Sequence, residues 1–124
     1  MKVLITAYDN GCVTFVSEWG TGRARWAGDI AGVRGEHDVE IDIDRRFRWG
    51  EDIIPVRSSE TSIALDGIDV VFAAEILSCD VDVVVARIGD GIVLLEAEEP
   101  IDGADGFVRI RVRQDDIALY PVSF

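Results

Sequence analysis

The stretch His37-Asp38-Val39-Glu40-Ile41-Asp42-Ile43-Asp44 alternates carboxylates with β-branched residues, and Phe107-Val108-Arg109-Ile110-Arg111-Val112-Arg113 alternates aliphatic residues with arginine. Successive side chains on a strand point to opposite faces, so a period of two sets an apolar face against a core and a charged face in water. On a helix the same pattern would scatter its apolar residues around the whole circumference. Val39, Ile41, Ile43, Val108, Ile110 and Val112 are therefore expected in the core. Strand-like runs also cover Val3–Tyr8, Cys12–Glu18, Arg23–Ala27, Ser62–Leu65, Val81–Ile88, Ile92–Glu98 and Ile117–Tyr120. In Asp69–Ser78, Val70, Val71 and Phe72 favour a strand, although Ala-Ala-Glu-Ile-Leu would suit a helix capped by Asp69. Asn10-Gly11 and Asp90-Gly91 are each expected to close a type I′ hairpin, because both residues tolerate positive φ. Gly20-Thr21-Gly22, Asp66-Gly67 and Asp102-Gly103-Ala104-Asp105-Gly106 are expected as further turns.

These signals define an all-β chain, an antiparallel β-barrel of OB-like or SH3-like type. Its 124 residues suit one compact domain, residues 1–124. A repeat of pattern runs through it. Ala7-Tyr8-Asp9-Asn10-Gly11-Cys12-Val13 resembles Ala86-Arg87-Ile88-Gly89-Asp90-Gly91-Ile92-Val93. Each is followed by an alternating strand, and then by Glu51–Val56 or Asp115–Val122. This suggests a pseudo-repeat of residues 1–55 and 56–124, as two small barrels sharing one core.

The tail Val108-Arg109-Ile110-Arg111-Val112-Arg113-Gln114-Asp115-Asp116-Ile117-Ala118-Leu119 resembles the closing strands of the small OB-type (TOBE-like) barrels appended to transporter ATPases. There an alternating strand ends in an Arg-x-x-Asp-Ile/Val-x-Leu turn. The resemblance covers roughly the last forty residues and implies a five-stranded barrel with an oxyanion-binding or regulatory role. The Ser-Ala-Arg-Asn opening and the Lys-Ala/Ser-Ser/Thr segment of the related molybdate-binding barrels are absent from this chain.

With 24 acidic and 12 basic residues, the net charge of -12 disfavours double-stranded nucleic acid and anionic membranes, which are bound through clustered Lys and Arg. No window approaches the ~18 apolar residues of a membrane span. Cys12 and Cys79 lack metal or redox spacing, and are expected as free thiols in the cytoplasm.

His37, the single histidine, stands at a strand end among acids and is expected to be solvent-exposed, which argues against a Ser-His or Cys-His nucleophile. No phosphate loop, dinucleotide fingerprint or His/Cys metal motif occurs. Alternate residues on a strand stand about 6.6–6.8 Å apart. Asp38, Glu40, Asp42 and Asp44 are thus too widely spaced to share one small cation, and read as an acidic interaction stripe. Arg109, Arg111 and Arg113 form a basic stripe of the same period. The two are expected to pair within one sheet, or across a dimer. All three tryptophans fall between residues 19 and 49. Arg23, Arg25, Trp26, Arg46, Arg48 and Trp49 are the candidates for a ligand-binding groove, since aromatic faces beside arginine stack nucleobases. The competing expectation is that the tryptophans plug the barrel.

The chain is therefore expected to be a non-catalytic, acidic β-barrel interaction module without cofactor or metal, whose partner is another protein or a second copy. The alternatives are an OB-type binder of single-stranded nucleic acid or a small anion through the Arg/Trp segment, and an acidic inhibitor or immunity protein of a basic toxin nuclease.

Overall fold

A computed structural model describes residues 1–101 and 103–122. The strands are β1 (Lys2–Asp9), β2 (Cys12–Ser17), β3 (Gly20–Trp26), β4 (Gly35–Ile43), β5 (Arg46–Phe47), β6 (Ile53–Val56), β7 (Ser62–Asp66), β8 (Asp69–Asp80), β9 (Val83–Ile88), β10 (Gly91–Ala97), β11 (Gly106–Arg113) and β12 (Ile117–Pro121). A 3-10 turn, Gln114–Asp116, precedes β12. Asp69–Ser78 lies within β8 as a strand: its odd and even positions alternate between half-buried and buried up to Ile76, and the apolar face wins over helical propensity.

Five strands close a barrel. β1 pairs antiparallel with β2 and β4, β2 with β3, and β4 with β12, while β12 runs parallel to β3 and shuts the ring. The other strands continue the sheet. β8 is flanked by β7, β9 and β11; β9 pairs β10; β10 runs parallel to β5, and β11 antiparallel to β6.

The two halves follow one register, 71 residues apart. Ile5↔Phe15 and Ala7↔Thr14 straddle a bulge, as do Ile76↔Ala86 and Ser78↔Val85. Lys2↔Asp38 and Ile5↔Gly35 recur as Ala73↔Arg109 and Ile76↔Gly106. Among the described residues, even the two non-glycine residues at positive φ, Asn10 (50°) and Val81 (57°), are counterparts. The closing strands are exchanged: β12, from the second half, completes the ring of β1–β4, whereas β5 and β6, from the first, flank β10 and β11. β12 is continuous, but a turn at Arg48–Asp52 separates β5 from β6, with the Arg48 carbonyl accepting from the N–H groups of Glu51 and Asp52.

Three sequence expectations are corrected here. Asn10-Gly11 does close β1 to β2, with both residues at positive φ, but its counterpart is Val81-Asp82 rather than Asp90-Gly91. The β9–β10 loop is Gly89-Asp90, because Gly91 already pairs with Ile88. Gly89 alone is at positive φ, the pattern of a type II′ turn. Gly20-Thr21-Gly22 is not a turn but the start of β3. A Cβ at Gly20 would strike the Ile63 carbonyl of β7, and one at Gly22 would strike the Phe15 ring, so both glycines admit close neighbours. Asp102, in the last expected turn, lies outside the described residues.

Phe15, Phe47 and Phe72 lead a core of aliphatic side chains, each contributing roughly 1.5–3 kcal/mol on burial. All six expected core residues on β4 and β11 belong to it. The tryptophans do not fill the barrel interior, although Trp19 and Trp26 pack against the core from its edge. Trp19 packs over Gly89, where one half's hairpin loop meets the other's, and Trp26 and Trp49 are also partly exposed.

Candidate functional site

The acidic and basic stripes do not face each other. β4 lies between β1 and β12, and β11 between β8 and β6, so pairing of the two stripes within the chain is overturned. They are instead counterparts: Asp38, Glu40 and Asp42 occupy the places in β4 that Arg109, Arg111 and Arg113 occupy in β11. The same position carries opposite charge in the two halves.

Their surroundings differ as well. Arg111 is held by Asp66 at 2.8 Å and Asp69 at 3.1 Å, contributed by β7 and the start of β8. These bonds, the Asp66 one foremost, raise the already high pKa of the guanidinium. Among the described residues, Asp38, Glu40, Asp42 and Asp44 make no ion pair, and all four are exposed.

Glu40 and Asp42 form one wall of an open cleft of about 670 Å³ between β4 and β10. Tyr120 of β12 lies beside them, and Ile92, Leu94 and Asp90 line the other wall. Ile92 and Leu94 are 60% and 62% exposed and Tyr120 47%, so an apolar strip runs along an acidic rim. An open apolar strip of this kind is a recognised mark of interaction surfaces. The strand β10 was expected, but its outward face was not among the expected site residues. Its signal was there: Ile92-Val93-Leu94-Leu95 is apolar at both parities, which leaves an apolar outward face once Val93 and Leu95 are buried.

The Arg/Trp candidates, all from the first half of the chain, are carried to separate places in the sheet. Arg23, Arg25 and Trp26 stand on β3, whereas Arg46, Arg48 and Trp49 belong to β5 and the turn after it, and β5 pairs β10 rather than β3. Arg25 Nε donates to the Asp115 carbonyl at 2.9 Å, Arg23 Nε to Thr14 Oγ1 at 3.3 Å, and Arg46 sits 3.7 Å from Glu96. Arg48 binds Glu98 at 3.0 Å and Glu51 at 3.5 Å, and Glu98 above all raises its pKa. Trp49 lines a second cleft, of about 630 Å³, shared with Arg48 and the carboxylates of Glu51, Glu98 and Glu99. Trp26 donates from Nε1 to the Asp29 carbonyl and meets His37 edge-on at 4.9 Å.

His37 is half-buried rather than fully solvated, because the 27–34 loop folds over it. Its Nε2 lies 2.9 Å from the Val33 carbonyl and 3.1 Å from that of Gly32. Both partners are acceptors, so this nitrogen donates. Cys12 and Cys79 are unpaired thiols, and burial, aided by Asp115, raises the Cys12 pKa.

No family model, curated protein or solved structure matches this chain.

Proposed function

We propose that this chain is a non-catalytic β-barrel interaction module that binds a positively charged, partly apolar protein segment in the cleft between β4 and β10. One observation carries the reading: exposed, unpaired Glu40 and Asp42 share a cleft with exposed Ile92, Leu94 and Tyr120. A carboxylate rim attracts Lys and Arg from a distance and selects against acidic partners, while the apolar strip contributes affinity on burial. The net charge of -12 acts in the same direction. The ring order β1-β2-β3-β12-β4 supports an OB-like barrel, and two unpaired thiols fit a reducing cytoplasm. Inhibition of a basic toxin would be one use of the same surface.

The test is calorimetric titration with three probes: an octapeptide of alternating valine and arginine, its valine–glutamate counterpart, and an oligothymidylate of similar length. The arginine peptide is expected to bind, more weakly as salt rises, and the Glu40→Gln/Asp42→Asn variant to weaken it. Equal binding of both peptides, or preference for the oligonucleotide, would sink this reading in favour of the Arg/Trp surface.

A further inference from the structure

The place that β7 fills in one half has no strand in the other among the described residues. β7 lies antiparallel to β8 and parallel to the start of β3, with Gly20 opposite Ile63 and the Ile63 N–H donating to the Trp19 carbonyl at 2.8 Å. The counterparts of Trp19 and Gly20 are Asp90 and Gly91, since Ser17↔Gly20 recurs as Ile88↔Gly91. Among the described residues no backbone N–H donates to the Asp90 carbonyl. The ladder between β9 and β10 starts at the tight-loop pair Ile88–Gly91, so Ile92 and Leu94 turn their N–H and C=O groups away from β9. β10 meets its other neighbour, β5, only at Glu96 and Ala97. Met1 stands beside this edge, its ammonium 3.9 Å from the Asp90 carboxylate, but the backbone of Asp90–Leu94 is an unpaired strand edge among the described residues and opens into the acidic cleft.

We infer that this edge takes up an extended segment of a partner protein, seated as β7 is seated in the other half, with Lys or Arg where β7 carries acid. The inference rests on the proposed charge-selective cleft and specifies how its ligand binds. Its charge follows from the internal counterpart: Arg111 is met by Asp66 of β7, and Glu40 stands where Arg111 stands. A basic residue on the outward face of the added strand would lay its aliphatic stem on Ile92 and Leu94 and its charge against Glu40 or Asp42. Apolar residues at alternate positions would turn inward, as Ile63 does in β7. Main-chain bonds to Asp90 and Ile92 would supply the remaining attachment.

The experiment uses the full chain and three blocked peptides. The first spans Thr61–Gly67 with Ser62, Ala64 and Asp66 each changed to arginine. The second is the unaltered segment. The third is the first peptide N-methylated at Ile63. The arginine peptide is expected to bind about tenfold or more tightly than the unaltered one, since individually weak exposed ion pairs accumulate over three arginines. At saturation it should slow amide exchange at Ile92 at least about tenfold. The Glu40→Arg/Asp42→Arg variant should reverse the preference. If the N-methylated peptide binds as tightly, or Ile92 exchange is unchanged, strand addition is overturned while the charge-selective cleft stands. If none of the peptides binds at millimolar concentration, both readings fall. A concentration-dependent dimer that protects Ile92 without peptide would overturn the inference in favour of a second copy.

Discussion

At Leu4 and Val16 the first half carries an apolar pair on its outer face; at the counterpart positions the second carries Glu75 and Arg87, bonded at 3.1 Å. Inside, Phe15 lies across Gly22 in one half, while Ala86 faces Val93 in the other. Large and small have changed places, yet the register of the ladders has not. Register depends on which face is apolar and where the bulges fall, not on which apolar residue fills a site. What differs between the halves is what lies beside the ladders. β7 fills the place between β8 and the start of β3 and gives Asp66 to Arg111, whereas the counterpart place between β4 and β10 presents carboxylates and an open edge.

The largest effects should come from the exchanged strands. Phe47 and Leu119 are both fully buried, each in a closing strand given to the opposite half. Phe47→Ala should destabilise by ~3–5 kcal/mol and Leu119→Ala by ~2–5 kcal/mol. Both should keep one cooperative urea transition, because each half lacks a strand without the other. Two resolved transitions, by tryptophan fluorescence and circular dichroism, would break the picture of interlocked halves.

Next in size is the contrast between Gly20 and Gly91. Gly20 sits at φ 134° with its missing Cβ against the Ile63 carbonyl, whereas a Cβ on Gly91 would meet nothing closer than 3.5 Å. Gly20→Ala should cost about 2–4 kcal/mol through overpacking and backbone strain, and Gly91→Ala less than ~0.5 kcal/mol. Similar losses at both would show that β7 does not distinguish the halves.

The third contrast lies in the first hairpin of each half. Val81 is β-branched and 63% exposed at φ 57°, where its counterpart Asn10 adopts φ 50° with less steric penalty. Val81→Asn should stabilise by ~1 kcal/mol, and Asn10→Val should destabilise by a similar ~1 kcal/mol. Thermal melts of the two variants would check the signs.

Smaller still, Glu75→Leu/Arg87→Val should move stability by under ~1 kcal/mol, because both charged side chains are more than a third exposed, and 1 M salt should shrink the difference. Last is Cys12, whose counterpart is Val83. Its pKa is raised in the fold, so its contribution to stability is intact below the ordinary thiol value and is lost as pH rises through the folded one. Cys12→Val should flatten that alkaline decline; an unchanged pH profile would assign the decline to other groups.

Much of the fold was legible because a sheet writes its period into the chain. The alternation at 37–44 and 107–113 yielded two strands and six core residues, and Asn10-Gly11 yielded a hairpin, since φ preferences act within a few residues. The repeat was visible as pattern but was set one hairpin out of register, because Val81-Asp82 lacks the glycine that marks Asn10-Gly11. Within the candidate site, the exposure of Asp38, Glu40, Asp42 and Asp44 could be read from parity alone. Their apolar neighbours Ile92, Leu94 and Tyr120 come from strands some fifty and eighty residues away along the chain, and no local rule reports which strand lies across a cleft.

The sequence by itself determined which faces of the strands are apolar and where the chain can reverse, because solvation and backbone sterics act residue by residue. The tertiary structure alone decided that the closing strands are exchanged, that the acidic and basic stripes are counterparts rather than partners, and that Arg111 is paired while Glu40 is not. Those outcomes depend on pairings between distant segments. Their energies are set by which edges meet once the core has closed, and two strands with the same alternation offer the same edge.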